Sequence, residues 1–161
     1  MLHLGVISDT HGLLRPEAIR ALSGVDQIIH AGDIGGAAIL DALRAIAPVH
    51  AVRGNNDHGV WVQGIPETLD LELESVALHV LHDLKELKQR PAPFDTGVVI
   101  AGHSHRPLLE RRGGVLYFNP GSAGPRRFNL PITVGVLALD GGGAEGKIVT
   151  LEGLPLPPGP A

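Results

Sequence analysis

The chain has 161 residues, a 43% hydrophobic fraction and 22 glycines, which suits a single globular, loop-rich domain with a sizeable core. Its 17 acidic and 13 basic residues leave a formal charge of −4, which argues against a protein that holds nucleic acid stably by neutralising phosphates, and 3% aromatics argue against a base-stacking platform. There is no cysteine, so disulfides and thiolate metal sites are ruled out and any metal must be held by nitrogen and oxygen.

In chain order, "LHLGVIS" (2–8) reads as a buried first strand, followed by a helix over 15–24 with Pro16 near its start and Gly24 near its end. "DQIIHAGD" (26–33) is a second apolar run, "AAILDALRAIA" (37–47) a helix closed by Pro48, and "VHAVRGNND" (49–57) a third strand ending in a polar loop. This alternation predicts a parallel α/β first half. Residues 67–75 alternate polar and apolar as a half-exposed strand, with 76–83 as its partner. "DLKELKQRP" (83–91) carries the capping box Asp83 to Glu86 and predicts a helix that stops at Pro91. "GVVIAGHSH" (97–105) is a buried strand running into a polar loop. Two hairpins follow, one around Gly113–Gly114 and one over 132–152. Residues 1–152 are expected to form the one domain, and the Pro- and Gly-rich stretch 153–161, which lacks a packing pattern, a mobile tail. The N-terminus has no signal-peptide pattern and no apolar stretch reaches the length of a membrane span, so a cytoplasmic protein without membrane contact is expected.

The unusual polar residues fall at strand ends: Asp9 and His11 in "SDTHG", Asp33 in "GD", Asn55 in "GNND", His82 after "VALHVL", and His103 and His105 in "GHSH". Open α/β sheets place their sites beyond the C-terminal edges of their strands, so five tips can meet at one rim. Asp-x-His and His-x-His are expected to put two side chains on one side of an extended segment. Carboxylate, imidazole and amide oxygen suit Mn, Fe, Zn, Ni or Co and do not choose among them; manganese is the ion expected first. Three Asp or Asn and four His side chains exceed the needs of one ion and match two ions sharing a carboxylate, with Asp33 the natural bridge. Each residue alone has a structural reading, Asp9 as a turn cap and Asn55 as a loop holder. The joint pattern points to a dinuclear centre. Of the other histidines, His3, His50 and His79 sit in strand bodies, as core-edge or surface residues. His30 is expected to pack, with a supporting role at the site as the alternative, and His58 to face solvent.

The order D-x-H, G-D, G-N-x-D, H, G-H-x-H resembles the calcineurin-like metallophosphoesterase superfamily, and the short chain with "NPGS" at 119–122 resembles its small single-domain phosphodiesterases. The resemblance runs from Asp9 to about Arg127. It implies a four-layer α-β-β-α sandwich of two mixed sheets flanked by helices. It also implies one divalent ion on Asp9, His11 and His105, a second on Asn55, His82 and His103, and Asp33 bridging them. The expected reaction is phosphodiester hydrolysis by in-line attack of a hydroxide held between the ions, with Asp33, Asn55, His103 and His105 acting through it.

Two departures stand out. Many superfamily members have a histidine, thought to protonate the leaving group, where this chain has Asn56; the small phosphodiesterases often lack it as well. Asp83 stands where the family usually has glycine, and reads either as the helix cap or as a partner for His82. Arg126 and Arg127, after "NPGSAGP", are a candidate clamp for a substrate phosphate, with a solvated surface pair as the alternative. The expected substrate is a small phosphodiester or nucleotide. The rivals are a phosphomonoesterase acting on a nucleotide or phosphoprotein, and a non-catalytic scaffold, since the superfamily includes a sorting-complex subunit with a degraded metal site. Seven filled ligand positions favour catalysis.

Overall fold

A computed structural model describes residues 1–152; the tail expected at 153–161 lies outside the described residues. Five strands, β1 (Leu2–Ile7), β2 (Gln27–His30), β3 (Val49–Ala51), β9 (Thr133–Asp140) and β10 (Gly143–Thr150), form one sheet in the order β10-β9-β1-β2-β3. The second sheet has the order β4-β5-β6-β8-β7 and is built from β4 (Thr68–Leu73), β5 (Val76–Leu81), β6 (Val98–Ile100), β7 (Leu108–Arg112) and β8 (Val115–Asn119). Both sheets are mixed. β1, β2 and β3 run parallel, as do β5, β6 and β8, and antiparallel hairpins form every edge but that of β3.

The sheets pack face to face. Leu4, Val6, Ile29 and Leu137 of the first meet Leu78, Val80, Ile100 and Phe118 of the second in a fully buried core. Helices α1 (Pro16–Ala21) and α2 (Ala37–Arg44) cover the outer face of the first sheet, burying Ala18, Ile39, Leu40 and Leu43 against Ile7, Ile28 and Val134. On the outer face of the second sheet the predicted helix over 83–91 is a 3-10 turn, Leu84–Lys88, whose Leu84 and Leu87 pack on Val99 and Ala101. The capping box closes only in part. The Asp83 carboxylate accepts from the Lys85 amide at 3.1 Å, but Glu86 turns outward to Arg90 at 3.2 Å. The layers are therefore those expected, with a thin fourth one.

Strands β3 and β6 are shorter than the sequence suggests. The polar residues of 52–57 and 101–105 leave the ladders and bond to neighbouring loops instead. No helix among the described residues is long and apolar enough to cross a membrane.

Candidate metal centre

β1, β2, β5 and β6 all deliver their C-terminal ends to one edge of the sandwich, and each is followed at once by a polar loop. The geometry of these loops differs from the extended segments expected. Asp9, His11, Asp33, His103 and His105 all have positive φ, between 46° and 69°. Left-handed backbone is uncommon for residues with a Cβ and persists only where the surroundings hold it. Here the hold is visible: the amides of Asp9, His11 and Gly12 donate to the carbonyls of Gly32, Asp33 and Ile34 at 2.9–3.0 Å, so the first two loops are laced together. Two side chains of each D-x-H and H-x-H pair do face one region, through curled turns. Close approach of the loops is possible because Gly102 lacks a side chain: a Cβ there would overlap the Ser8 hydroxyl and stand 2.7 Å from Asp9 Oδ2.

The side chains form two triads, Asp9–His11–His105 and Asp9–Asp33–His82, each with one ligand atom per residue within 4.8 Å of the others. Asp33 Oδ2 lies between two histidines, 3.7 Å from His11 Nε2 and 3.3 Å from His82 Nε2. The imidazoles pair by ring contact. His11 stacks on His105 with centroids 5.4 Å apart, and His82 meets His103 edge-on at 5.2 Å. Asp9 Oδ1, His11 Nε2 and His82 Nε2 are buried and make no hydrogen bond. In folded proteins nearly all buried polar atoms are paired, and converging carboxylate and imidazole atoms of this kind fit a divalent cation. The other atoms of the same groups are fixed. Asp9 Oδ2 accepts from the Ser8 hydroxyl at 2.6 Å and the His103 amide at 3.0 Å, and His82 Nδ1 donates to the Ala31 carbonyl at 2.7 Å, which leaves Nε2 free to ligate.

Electrostatics match this arrangement. Burial pushes the Asp9 carboxyl up, but the His105 imidazole 3.4 Å away, the charge of His82 and the Ser8 hydroxyl together hold it below the ordinary carboxylate range. Asp33 behaves likewise, its burial outweighed by His82 and Asn56. Burial lowers His82, but the Asp33 carboxylate 3.3 Å away and the charge of Asp9 prevail and lift it to about 9.

Asn55 lines a cavity of ≈ 610 Å³ beside the centre, together with His82, His103 and the exposed His58. Asn56 donates from its amide to Asp33 Oδ1 and from its side chain to Asp33 Oδ2, both at 3.0 Å. Asp83 faces His103, with Oδ2 3.7 Å from Nε2, whereas His82 turns to the Ala31 carbonyl. Arg126 is ion-paired with Glu152 at 2.6 Å, and neither Arg126 nor Arg127 lines the cavities beside the centre.

Two supports were under-read in the sequence. Asp57, buried, accepts from the amides of Ile34, Gly35 and Gly54 and so clamps the Asp33 loop to the Asn55 loop. His30 is wholly buried, accepts from the Gly32 amide at 3.1 Å and reaches the Thr10 hydroxyl at 3.0 Å, which in turn donates to the Ile34 carbonyl. Burial drives its pKa down to about 4, and the neutral ring bridges the Asp9 and Asp33 loops. The only signal for Asp57 is its place at the end of "GNND"; His30, expected to pack with a supporting role as the alternative, does both.

Fold and site together define a two-sheet α/β protein with a candidate metal centre at one sheet edge. Residues 2–142 match the calcineurin-like phosphoesterase superfamily domain, and the chain belongs to that superfamily. A "Probable metallophosphoesterase" of Methanothermobacter thermautotrophicus is 34% identical over 158 residues, covering 91% of both chains. "Phosphodiesterase YfcE" of Escherichia coli K12 is 30% identical over 164 residues, covering 87% of this chain and 89% of that one. Among solved structures, Vacuolar Protein Sorting 29 from Cryptosporidium parvum superposes with a TM-score of 0.76 at 18% identity, covering 92% of this chain and 96% of that one, a likeness of fold alone.

Proposed function

We propose that the chain hydrolyses a small phosphodiester or nucleotide at a centre of two divalent ions, manganese being the expected pair. Asp9, His11 and His105 would hold one ion, Asn55, His82 and His103 the other, and Asp33 both. The observation that carries this reading is the division of the four imidazoles into two ring-contact pairs, with the Asp33 carboxylate between a histidine of each pair. The chemistry such ions supply is a water acidic enough to ionise near neutral pH and counter-charge for the phosphoryl oxygens.

The chain's own residues do the positioning. The Ala31 carbonyl fixes the His82 tautomer, Ser8 and the His103 amide fix the Asp9 rotamer, and Asn56 holds Asp33. The ≈ 610 Å³ cavity beside His82 and His103 leaves room for substrate. The kinship with Escherichia coli phosphodiesterase YfcE supports the diester over the monoester, and seven filled ligand positions support catalysis over a scaffold.

The test is an assay of metal-stripped protein, resupplied with Mn²⁺, on a chromogenic phosphodiester and the matching monoester. Diester hydrolysis should dominate and fall by two orders of magnitude or more, about 10²-fold, in Asp33→Ala. Unchanged activity in Asp33→Ala sinks the two-ion reading, and a monoester preference reverses the substrate assignment.

A further inference from the structure

The thin fourth layer of the sandwich has a consequence for the substrate. Two α-helices cover the first sheet, but only the five-residue turn Leu84–Lys88 covers the second. Beside that turn a groove of ≈ 600 Å³ remains, with Leu84, Val99, Leu108 and Tyr117 among its walls and the cationic side chains Lys85 and Arg106 also lining it. Val99 and Tyr117 belong to the outer faces of the central strands β6 and β8, so the groove is built on rigid sheet. Asp83 and His103 line both this groove and the ≈ 610 Å³ cavity, whose other walls include Arg53, Asn55, Glu67 and Glu86. The two spaces differ in chemistry. Charged and polar side chains make up most of the walls of the first, with Glu67 tied to Arg53 and Arg90 by ion pairs at 3.2–3.3 Å; the second is largely apolar, with Lys85, Arg106 and the Asp83 carboxylate also on its walls.

We propose that the groove is the subsite for one ester arm of a mixed phosphodiester, an aromatic or otherwise apolar alcohol, with the polar arm in the first cavity. The inference rests on the diester reading above. A phosphodiester carries two arms that leave phosphorus in different directions, and His103, beside the centre, lines a space for each. Burial of an apolar arm against Leu108 and Tyr117 gives affinity in proportion to the area removed from water. Lys85 and Arg106 suit the single negative charge of a diester, acting over a distance that salt screens.

The test compares two monoanionic diester analogues, methyl phenylphosphonate and methyl methylphosphonate, which differ in one arm only. As competitive inhibitors of the Mn²⁺-loaded chain, the phenyl compound should bind at least about tenfold more tightly. Leu108→Ser and Tyr117→Ala should each shrink that ratio at least threefold, about the loss of a partial apolar contact. A second readout needs no turnover: in methyl spectra of the zinc-loaded chain, the phenyl compound should shift Leu84, Val99 and Leu108 and leave Val62 still. Equal inhibition by the two analogues, a ratio untouched in both variants, or shifts confined to other methyls overturns the proposal. A chain that hydrolyses diesters yet shows no phenyl preference sinks the groove alone. A chain that shifts the groove methyls yet hydrolyses no diester keeps the groove and sinks the catalytic reading.

Discussion

Asn56 stands where the resemblance to the superfamily leads one to expect a proton donor, and its side-chain amide is spent on Asp33 at 3.0 Å. An amide cannot act as an acid near neutral pH, and a positioned acid contributes about 10²–10⁴-fold to leaving-group departure. Rates on a series of aryl phosphodiesters should therefore fall steeply as the phenol pKa rises; a flat plot would mean that another group, with the exposed His58 on the cavity wall the first candidate, delivers the proton. At this scale the sequence was most informative. The types and order of Asp9, His11, Asp33, His82, His103 and His105 pointed to one cluster, and the structure brings these side chains together, with Asn55 on the adjoining wall. What could not be read was their backbone. Positive φ at five of them is set by lacing between loops far apart in the chain, not by anything local to D-x-H or H-x-H. The same long-range origin left the supporting role of His30 as the second reading, since its partners Thr10 and Gly32 lie on separate loops.

The elements matter for where they stop. β1, β2 and β6 are short, buried and apolar, and each ends at a point where the next residues bond to a neighbouring loop. Asp57 is the chief tie between two of these loops, accepting from three amides. Asp57→Ala leaves those donors without a partner and should cost about 3 kcal/mol of unfolding free energy, with a matching loss of the metal centre. Denaturant titration checks this, and a loss below about 0.5 kcal/mol, the range of an ordinary surface change, would contradict it. The parallel first half and all three antiparallel pairings of neighbours, 67–75 with 76–83 and the two later hairpins, were legible because binary patterning and Gly-Gly turns are local. The 83–91 segment was not. Its capping box suggested a helix, but with Pro91 ahead and only Leu84 and Leu87 to bury, one 3-10 turn suffices.

For the molecule as a whole, two histidines set opposing pH limits on the metal-stripped chain. His30 has a pKa of about 4 when folded against 6.5 when unfolded, so its contribution is complete above pH 6.5 and is lost as pH falls towards 4, a change of about 3 kcal/mol. His82 is raised to about 9, so its contribution is complete below 6.5 and is lost as pH rises through 9. As far as these two groups govern it, the melting temperature of the stripped chain should peak near pH 6.5 and fall on both sides. Mn²⁺ should remove the alkaline limb, because the ion replaces the proton on His82 Nε2. A melting temperature flat from pH 4.5 to 6.5 would refute the role given to His30.

The central claim is that one small sandwich gathers two ions by sharing Asp33 and dividing its histidines. Its most direct test is the stoichiometry of Mn²⁺ bound by the stripped chain and by His103→Ala and His105→Ala. Two ions should bind per wild-type chain, and a different one should weaken in each variant. A single ion per chain, or loss of the same ion in both variants, would contradict it.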